Sequence, residues 1–557
     1  MKTVAPSTPT VNAPPAQSFH NLPRNRLIAT MAGLLVSLLL AALDQTIVGT
    51  AMPRIIADLQ GFEHYAWVTT AYLLTSTAIV PIIGKLSDLY GRKWFLMGGA
   101  IFFVLMSMLC GLSQNMVELV VFRGLQGFGA GTLMSTIFTV SSALFPPAQR
   151  AKIQGLFTSV FGLASIAGPL IGGYLTDTLS WRWVFYVNLP VGILALVVLW
   201  LSFPDFRPAR RAHQIDFLGG ALLVLGIVPF LLALSWGGQD YAWTSPVIIG
   251  LFVVSVVGLI AFGLVEARAA EPILPLSLLK NPIVAIASLT SGLTQIGMFG
   301  SILFVPLFIQ AVIGTSATQS GTVLTPMMLA IVAMSIGVGQ VIGRTGRYKA
   351  FALGGTAVGA VGLFLLSTMG PDTDYLTVVR DMVIIGLGLG STMAPLNLAA
   401  QNAVSLREIG VVTSLTQFTR SIGGTVGAAL LGSVLTSRFA PELQAALPPQ
   451  LAAALPPGML DQFKNPQILL NPDSAGLMQR GFSQLGPQGA QLYGQMIEAI
   501  KVALSATLHD VFLTGALILA LSTLITVFLK ELPLKRSYSA EDLAEMNVEA
   551  PISAGGA

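Results

Sequence analysis

The sequence predicts an all-α integral membrane protein that crosses the bilayer fourteen times. Three observations carry this reading. The 557 residues are 54% hydrophobic and only 10% charged, where a soluble chain carries about a quarter charged residues. Many apolar runs reach or exceed about 20 residues, the length a helix needs to cross hydrocarbon. Lysine and arginine are shared unevenly between the connecting segments, which sets an orientation.

The spans fall at 27–51, 65–84, 94–113, 119–143, 153–176, 183–203, 216–236, 245–265, 283–311, 321–343, 350–370, 376–399, 409–436 and 507–529. With both termini cytoplasmic, 20 Lys and Arg lie on inside segments and 7 on outside ones, while Arg123 and Arg420 sit within spans. The inverse orientation puts the excess outside and is rejected. The first apolar run has no clear cleavage site and leads into further spans, so it reads as a span and not as a signal peptide. The expected location is the inner (plasma) membrane, multi-pass. Residues 1–22, rich in Pro, Ser, Thr and Ala, read as a disordered N-terminal tail. Segment 437–506, rich in Pro, Gln, Ala and Leu, reads as one long external loop. Pieces such as "ELQAALPPQLAAAL" within it could form short amphipathic helices. It is either a surface excursion or a surface for substrate or for a periplasmic or lipoprotein partner. Residues 531–557 form a cytoplasmic tail.

Several chemistries find no support. The single cysteine, Cys110, rules out an internal disulfide. The four histidines, His20, His64, His213 and His509, are far apart and show no metal-ligand spacing, so no metal site is expected. No GxxxxGK[ST] loop suggests ATP hydrolysis. No nucleophile–base arrangement suggests an enzyme. Nucleic acid is not an expected partner.

An internal repeat organises the chain. "GKLSDLYGRK" (Gly84–Lys93) follows span 2, and "GQVIGRTGRYK" (Gly339–Lys349) follows span 10. Gly84, Gly91 and Arg92 align with Gly339, Gly346 and Arg347. "SIAGPLIGG" (Ser165–Gly173) in span 5 echoes "SIGGTVGAA" (Ser421–Ala429) in span 13. Two echoes at nearly one offset imply two homologous six-helix halves, 23–204 (spans 1–6) and 281–530 (spans 9–14). Two linker helices, spans 7 and 8, then occupy 205–280. Paired six-span repeats around a central site are transporter architecture.

At this point the sequence resembles a known family. "GKLSDLYGRK" is similar to the loop motif of the major facilitator superfamily, with Leu89 where a basic residue is usual. "RGLQGFGAG" (Arg123–Gly131) resembles its span-4 motif, and "GLASIAGPLIGG" (Gly162–Gly173) its antiporter span-5 motif. "LDQTIV" and "WRWVFYVNLPVG" (Trp181–Gly192) resemble the fourteen-span drug:proton antiporters, as do "LFIQAVIGTSATQSG" and "QNAVSLREIGVVTS". The likeness runs from about residue 27 to 436 and through span 14. It implies the major facilitator fold, with two six-helix halves and two inserted helices. It also implies that a proton gradient, with no cofactor, is the energy source.

Candidate site residues follow. Asp44 lies inside an apolar run, and an ionised carboxylate in hydrocarbon must face a cavity or a partner. Span 1 runs outward and span 4 inward, so Asp44 and Arg123 fall at similar depth in the outer half. Gln126, one turn on, shares the face of Arg123. Asp44, Arg123 and Gln126 are therefore either a proton-coupling set or a fixed structural pair. The resemblance implies that Gly84, Asp88, Gly91 and Arg92 gate the inner end; the bland alternative is solvated loop charge. Asp88 could also accept bonds from a helix N-terminus of the second half. Gly162, Gly168, Pro169, Gly172 and Gly173 permit close helix packing and a bend in span 5, and the resemblance adds a seal against ion leak. Gln295, Phe299, Gln310, Gln417 and Arg420 are the candidate lining of a substrate cavity, against lipid-facing or core packing. A lasting cation at Arg420 would disfavour cationic compounds unless a carboxylate neutralises it.

The expected function is proton-coupled export of lipophilic drugs or related toxic compounds by alternating access. The substrate is then small and lipophilic, and the other partners are protons and the bilayer. The rival is export of an endogenous lipid or metabolite by the same machinery. Uptake by symport is disfavoured by the span-5 motif, and a sensor by the absence of an appended folded domain.

Overall fold

The computed structural model describes residues 23–59, 65–145, 147–203, 216–238, 241–269, 272–274, 277–314, 323–405, 408–448 and 489–534. A helix satisfies its own backbone N–H and C=O groups, which hydrocarbon cannot do. No β-strand occurs among the described residues. The helices are α1 (Arg24–Leu59), α2 (Tyr65–Tyr90), α3 (Arg92–Leu112), α4 (Met116–Leu144), α5 (Pro147–Thr178), α6 (Trp183–Tyr186), α7 (Asn188–Ser202), α8 (Phe217–Trp236), α9 (Pro246–Glu266) and α10 (Ser277–Lys280). They continue with α11 (Pro282–Phe308), α12 (Leu324–Thr345), α13 (Lys349–Ser367), α14 (Tyr375–Asn402), α15 (Ile409–Ala446) and α16 (Gly489–Val527).

Each expected span is helical over most of its described residues, with 183–203 divided between α6 and α7. Among the described residues, 13 segments are long and apolar enough to cross a membrane. The fourteenth span, α4, is 29 residues long. Glu118, Arg123 and Gln126 lower its hydropathy, and it packs inside the bundle against α2 and α3.

One half of the bundle, α1–α7, closes around Leu34, Leu38, Phe103, Ile137 and Phe157. The other, α11–α16, closes around Phe308, Met327, Leu363 and Phe512. Between them in sequence, α8 and α9 pack on each other, and α8 leans on α2. Leu105, Val197, Val257 and Leu521 stay exposed, a belt suited to lipid.

The expected 437–506 loop needs correction. Helix α15 continues to Ala446, and α16 begins at Gly489. Phe439, Leu443 and Leu447 on one extension share a buried cluster with Met496, Ile500 and Leu504 on the other. Four-residue spacing puts each set on one helical face. Burial of those two faces extends the helices beyond the expected membrane boundary. Residues 449–488, like the tails 1–22 and 535–557, lie outside the described residues.

Glycines set the helix spacing. A Cβ at Gly127 would collide with Tyr72 and Thr75, and one at Gly131 with Ser76 and Ile79. On the opposite side of α4, a Cβ at Gly129 would stand 2.8 Å from the Phe103 backbone nitrogen of α3. The repeat is visible in three dimensions. Gly168 of α5 packs on Thr46 of α1, and Gly424 of α15 packs on Phe299 of α11. Gly91 (φ 99°) and Gly346 (φ 75°) make left-handed turns at equivalent loops, a conformation glycine adopts without a Cβ penalty.

The "WRW" stretch clamps the far end of the first half. Arg182 Nη1 and Trp181 Nε1 each donate to Asp58 Oδ2 at 2.8 Å. Arg182 Nη2 also donates to Ser113 O at 3.1 Å, tying in the α3–α4 turn. Asp58 lies beyond the apolar part of α1, which ends at Gly49. The Arg182 hydrogen bond, then that of Trp181, holds the Asp58 carboxyl below the usual carboxylate range.

Two outcomes are expected. Gly131→Leu forces α2 and α4 apart and lowers stability by about 1–3 kcal/mol, read as a lower thermal midpoint in detergent; an unchanged midpoint contradicts this packing. The Asp58 clamp has a folded-state pKa depressed below its unfolded value. Its contribution is therefore complete above about pH 4 and fades as pH falls through the lowered value. Acid titration of tryptophan fluorescence should show a low-pH loosening in the parent that is absent from Asp58→Asn.

Candidate functional site: a sealed charge network

Asp44 and Arg123 meet as the depth argument requires. Arg123 Nη1 donates to Asp44 Oδ2 at 2.7 Å, with Asp44 0% and Arg123 2% exposed. Gln126 joins both. Its Oε1 accepts from Arg123 Nη1 at 2.6 Å, and its Nε2 donates to Asp44 Oδ1 at 2.9 Å. The Arg123 guanidinium lies 4.2 Å from the Tyr72 ring centroid, which favours a cation over an aromatic face.

Two further members do not stand out in the sequence. Asn188 Nδ2 donates to Asp44 Oδ1 at 2.7 Å and to Ser107 Oγ at 2.9 Å. Ser107 Oγ in turn donates to Phe185 O at 2.9 Å. Asn188 belongs to "WRWVFYVNLPVG". The expected single span 183–203 divides there into α6 and α7, with Asn188 opening α7. Pro190 fits that first turn, where a missing N–H costs little. The division aims Asn188 at Asp44. An amide inside an apolar run is the only sequence signal for it.

The Asp44 carboxylate thus accepts three side-chain hydrogen bonds from three donors, Arg123, Gln126 and Asn188, all buried. Protonating Asp44 would neutralise one side of the ion pair and withdraw an acceptor from at least one donor. The network can therefore exist in two hydrogen-bonding states, and it is closed to solvent in this conformation.

The expected loop is shorter than read: Gly84 and Asp88 lie in the last turns of α2, Gly91 follows it and Arg92 opens α3, and together they lie where the two halves meet, at the face that carries both described chain ends. Arg92 grips Asp88 Oδ1 through Nη2 at 2.7 Å and Nε at 3.0 Å. Asp88 Oδ2 is buried without a hydrogen-bond partner and abuts Gly410 in the first turn of α15. Among the described residues, no hydrogen bond from that helix N-terminus reaches Asp88. Gly84 has no side chain where Ser414 of α15 and Ser135 of α4 approach. Those two hydroxyls lie 3.1 Å apart. Gln401 Nε2 donates to Ser142 Oγ at 2.9 Å, and Arg150 Nη1 to Gln401 Oε1 at 3.4 Å. This end of the molecule is closed by contacts between the halves. Gly91 supplies the left-handed turn into α3.

Of the span-5 residues, Gly162 packs on α12, where a Cβ would stand 2.6 Å from the Val332 side chain, and Gly168 faces Thr46. Thr46 Oγ1 also donates to Ala164 O at 2.9 Å. Gly172 is buried and Gly173 is half-buried, with open space where its Cβ would stand. Pro169 lies within α5, and its side chain is outside the described residues. Helix α5 therefore bridges α1 of its own half and α12 of the other.

Four cavity candidates lie on two helices packed against each other, α11 and α15. Gln295 and Phe299 on α11 and Gln417 and Arg420 on α15 are all half-buried. Gly292 of α11 packs against Thr419 of α15, and Gly424 of α15 against Phe299 of α11. Arg420 Nη1 donates weakly to Gln417 Oε1 at 3.4 Å, and Nη2 lies 3.7 Å from Met393 Sδ. Gln310 does not join them. It sits in a π-helical turn, Ile309–Ile313, about 22 Å further along the axis at 1.5 Å per residue.

Comparison with known proteins agrees with this geometry. Residues 34–428 match the Major Facilitator Superfamily. The multidrug transporter protein MdtP of Bacillus subtilis is 44% identical over 528 residues, 92% of this chain and 95% of its own. Multidrug resistance protein 3 of the same organism is 42% identical over 414 residues, 74% of this chain and 80% of its own. Among solved structures, the human organic anion transporter MFSD10 superposes with a TM-score of 0.55 at 13% identity, covering 89% of this chain and 99% of its own. A bacterial homologue of the lysosomal transporter Spinster gives 0.52 at 15% identity, covering 93% and 100%. Those likenesses show the fold. The chain is a membrane-embedded transporter, not an enzyme, and it belongs to the drug-efflux branch of the major facilitator superfamily.

Proposed function

We propose that this chain exports lipophilic drugs or related toxic compounds in exchange for protons, from the inner membrane with both termini cytoplasmic. The observation that carries the reading is the sealed Asp44–Arg123–Gln126–Asn188 network. A carboxylate without solvent contact is retained at a cost of several kcal/mol unless it is fully partnered. A partnered carboxylate whose bonds rearrange on protonation is a switch. The two multidrug relatives support the substrate class.

The cycle follows from the contacts. In this conformation the halves touch at the end holding Asp88, Gly84 and Ser414. By the positive-charge count that end faces the cytoplasm. Proton uptake by Asp44 from the opposite side loosens its hold on Arg123 and Asn188. Helix α5 touches both α1 and α12, so a change around Asp44 reaches the second half through it. Separation of Asp88 from Gly410 then opens the inner end to substrate, and proton release restores the network. Asp44 and the Arg420 level differ by about 13 Å in depth, counted from the inner ends of α1 and α15 at 1.5 Å per residue. Proton and substrate therefore occupy separate places and are coupled through conformation.

The test is proton flux in proteoliposomes with an inward proton gradient and a lipophilic dye. Asp44→Asn should bind dye yet move no protons with it; substrate-driven flux equal to the parent's sinks the reading. That variant leaves Arg123 without its counter-ion, which costs about 3–5 kcal/mol. The double variant Asp44→Asn, Arg123→Met should regain much of that stability while coupling stays absent. Asn188→Leu, which removes one donor to Asp44, should lower coupled flux about tenfold, the equivalent of roughly one charge-assisted hydrogen bond.

A further inference from the structure

The Arg420 guanidinium stands apart from the matched membrane-embedded charges. Arg123 is paired with Asp44 at 2.7 Å and Asp381 with Arg380 at 2.8 Å. Among the described residues, Arg420 has no carboxylate within ion-pair distance. Its contacts there are the 3.4 Å bond to Gln417 and the 3.7 Å approach to Met393 sulfur. A guanidinium offers five N–H donors, and the described residues engage two of its nitrogens, both at long range. A charge in this position must face a water-filled cavity or a partner that arrives. Its two contacts suit an amphipathic partner: Met393 supplies an adaptable apolar surface and Gln417 a neutral polar group, while Phe299 of α11 packs one turn further along α15, at Gly424.

We infer that Arg420 selects lipophilic anions, compounds with an apolar body and one carboxylate or sulfonate. This rests on the export reading and narrows its substrate class. The guanidinium's planar fork matches a carboxylate in a bidentate way. The same fixed charge repels a lipophilic cation, which finds no carboxylate within ion-pair distance of Arg420 among the described residues. An organic anion leaving an interior that is electrically negative also moves with the membrane potential.

Binding is measured on the purified full chain in detergent, apart from any transport. The probes are two dyes sharing one aromatic body, a monosulfonate and a quaternary ammonium. In the parent the sulfonate should bind more tightly than the ammonium. Arg420→Gln should weaken the sulfonate about 10- to 100-fold, the loss of one or two charge-assisted hydrogen bonds, and leave the ammonium unchanged or tighter. Arg420→Lys should recover part of the sulfonate affinity, since the charge remains and the fork is lost. Equal sulfonate affinity in the parent and Arg420→Gln overturns the inference. So does tighter binding of the ammonium by the parent, a result that does not require the variant to fold. If the sulfonate binds in an Arg420-dependent way but no proton-coupled flux is found, the export reading fails while the anion site stands.

Discussion

The structure depends on one buried ion pair. Asp44 and Arg123 come from helices that run in opposite directions, and they meet with no solvent between them. Gln126 and Asn188 complete the carboxylate's hydrogen bonds, and Tyr72 faces the guanidinium. These contacts fix α1, α4 and α7 around one point. Glycines at 127, 129 and 131 bring α2 and α3 close enough on either side of α4 to exclude water. A pair of charges in such a place is a weak source of net stability, while removing one partner leaves an uncompensated buried charge.

The second half shows no equivalent of that pair among its described residues, and the asymmetry is informative. The repeat places α5 and α15 in like positions, each packing through glycine on the first helix of its own half. Yet Arg420, a half-buried cation of the second half, has no carboxylate within ion-pair distance among the described residues. One half thus holds a matched pair of charges, and the other holds a cation without a carboxylate within ion-pair distance among the described residues. Helix α5, in contact with both halves, is the physical link between them.

Much of this is legible in the sequence. Asp44 and Arg123 are visible because ionisable residues are rare in apolar runs, and helix rise alone sets them at one depth. Gly91 and Gly346 are visible because two loops share a pattern that a left-handed turn explains. Asn188 and Ser107 are hidden. A neutral amide or hydroxyl in an apolar run is common, and only the break between α6 and α7 shows what Asn188 faces. Gln310 misleads for the converse reason: a polar residue on the right span can lie several helical turns from the site. The helical extensions around 437–446 and 489–506 are masked by Pro, Ala and Gln, since Phe439, Leu443 and Leu447 acquire meaning only when Met496, Ile500 and Leu504 lie opposite.

The central claim is that Asp44 gains and loses a proton as substrate binds. The most direct measurement is proton release into weakly buffered detergent solution when a lipophilic substrate is added to the purified protein. Release from the parent and none from Asp44→Asn is expected at matched substrate occupancy. Equal release from both would show that the titrating group lies elsewhere and that the Asp44–Arg123 pair is structural.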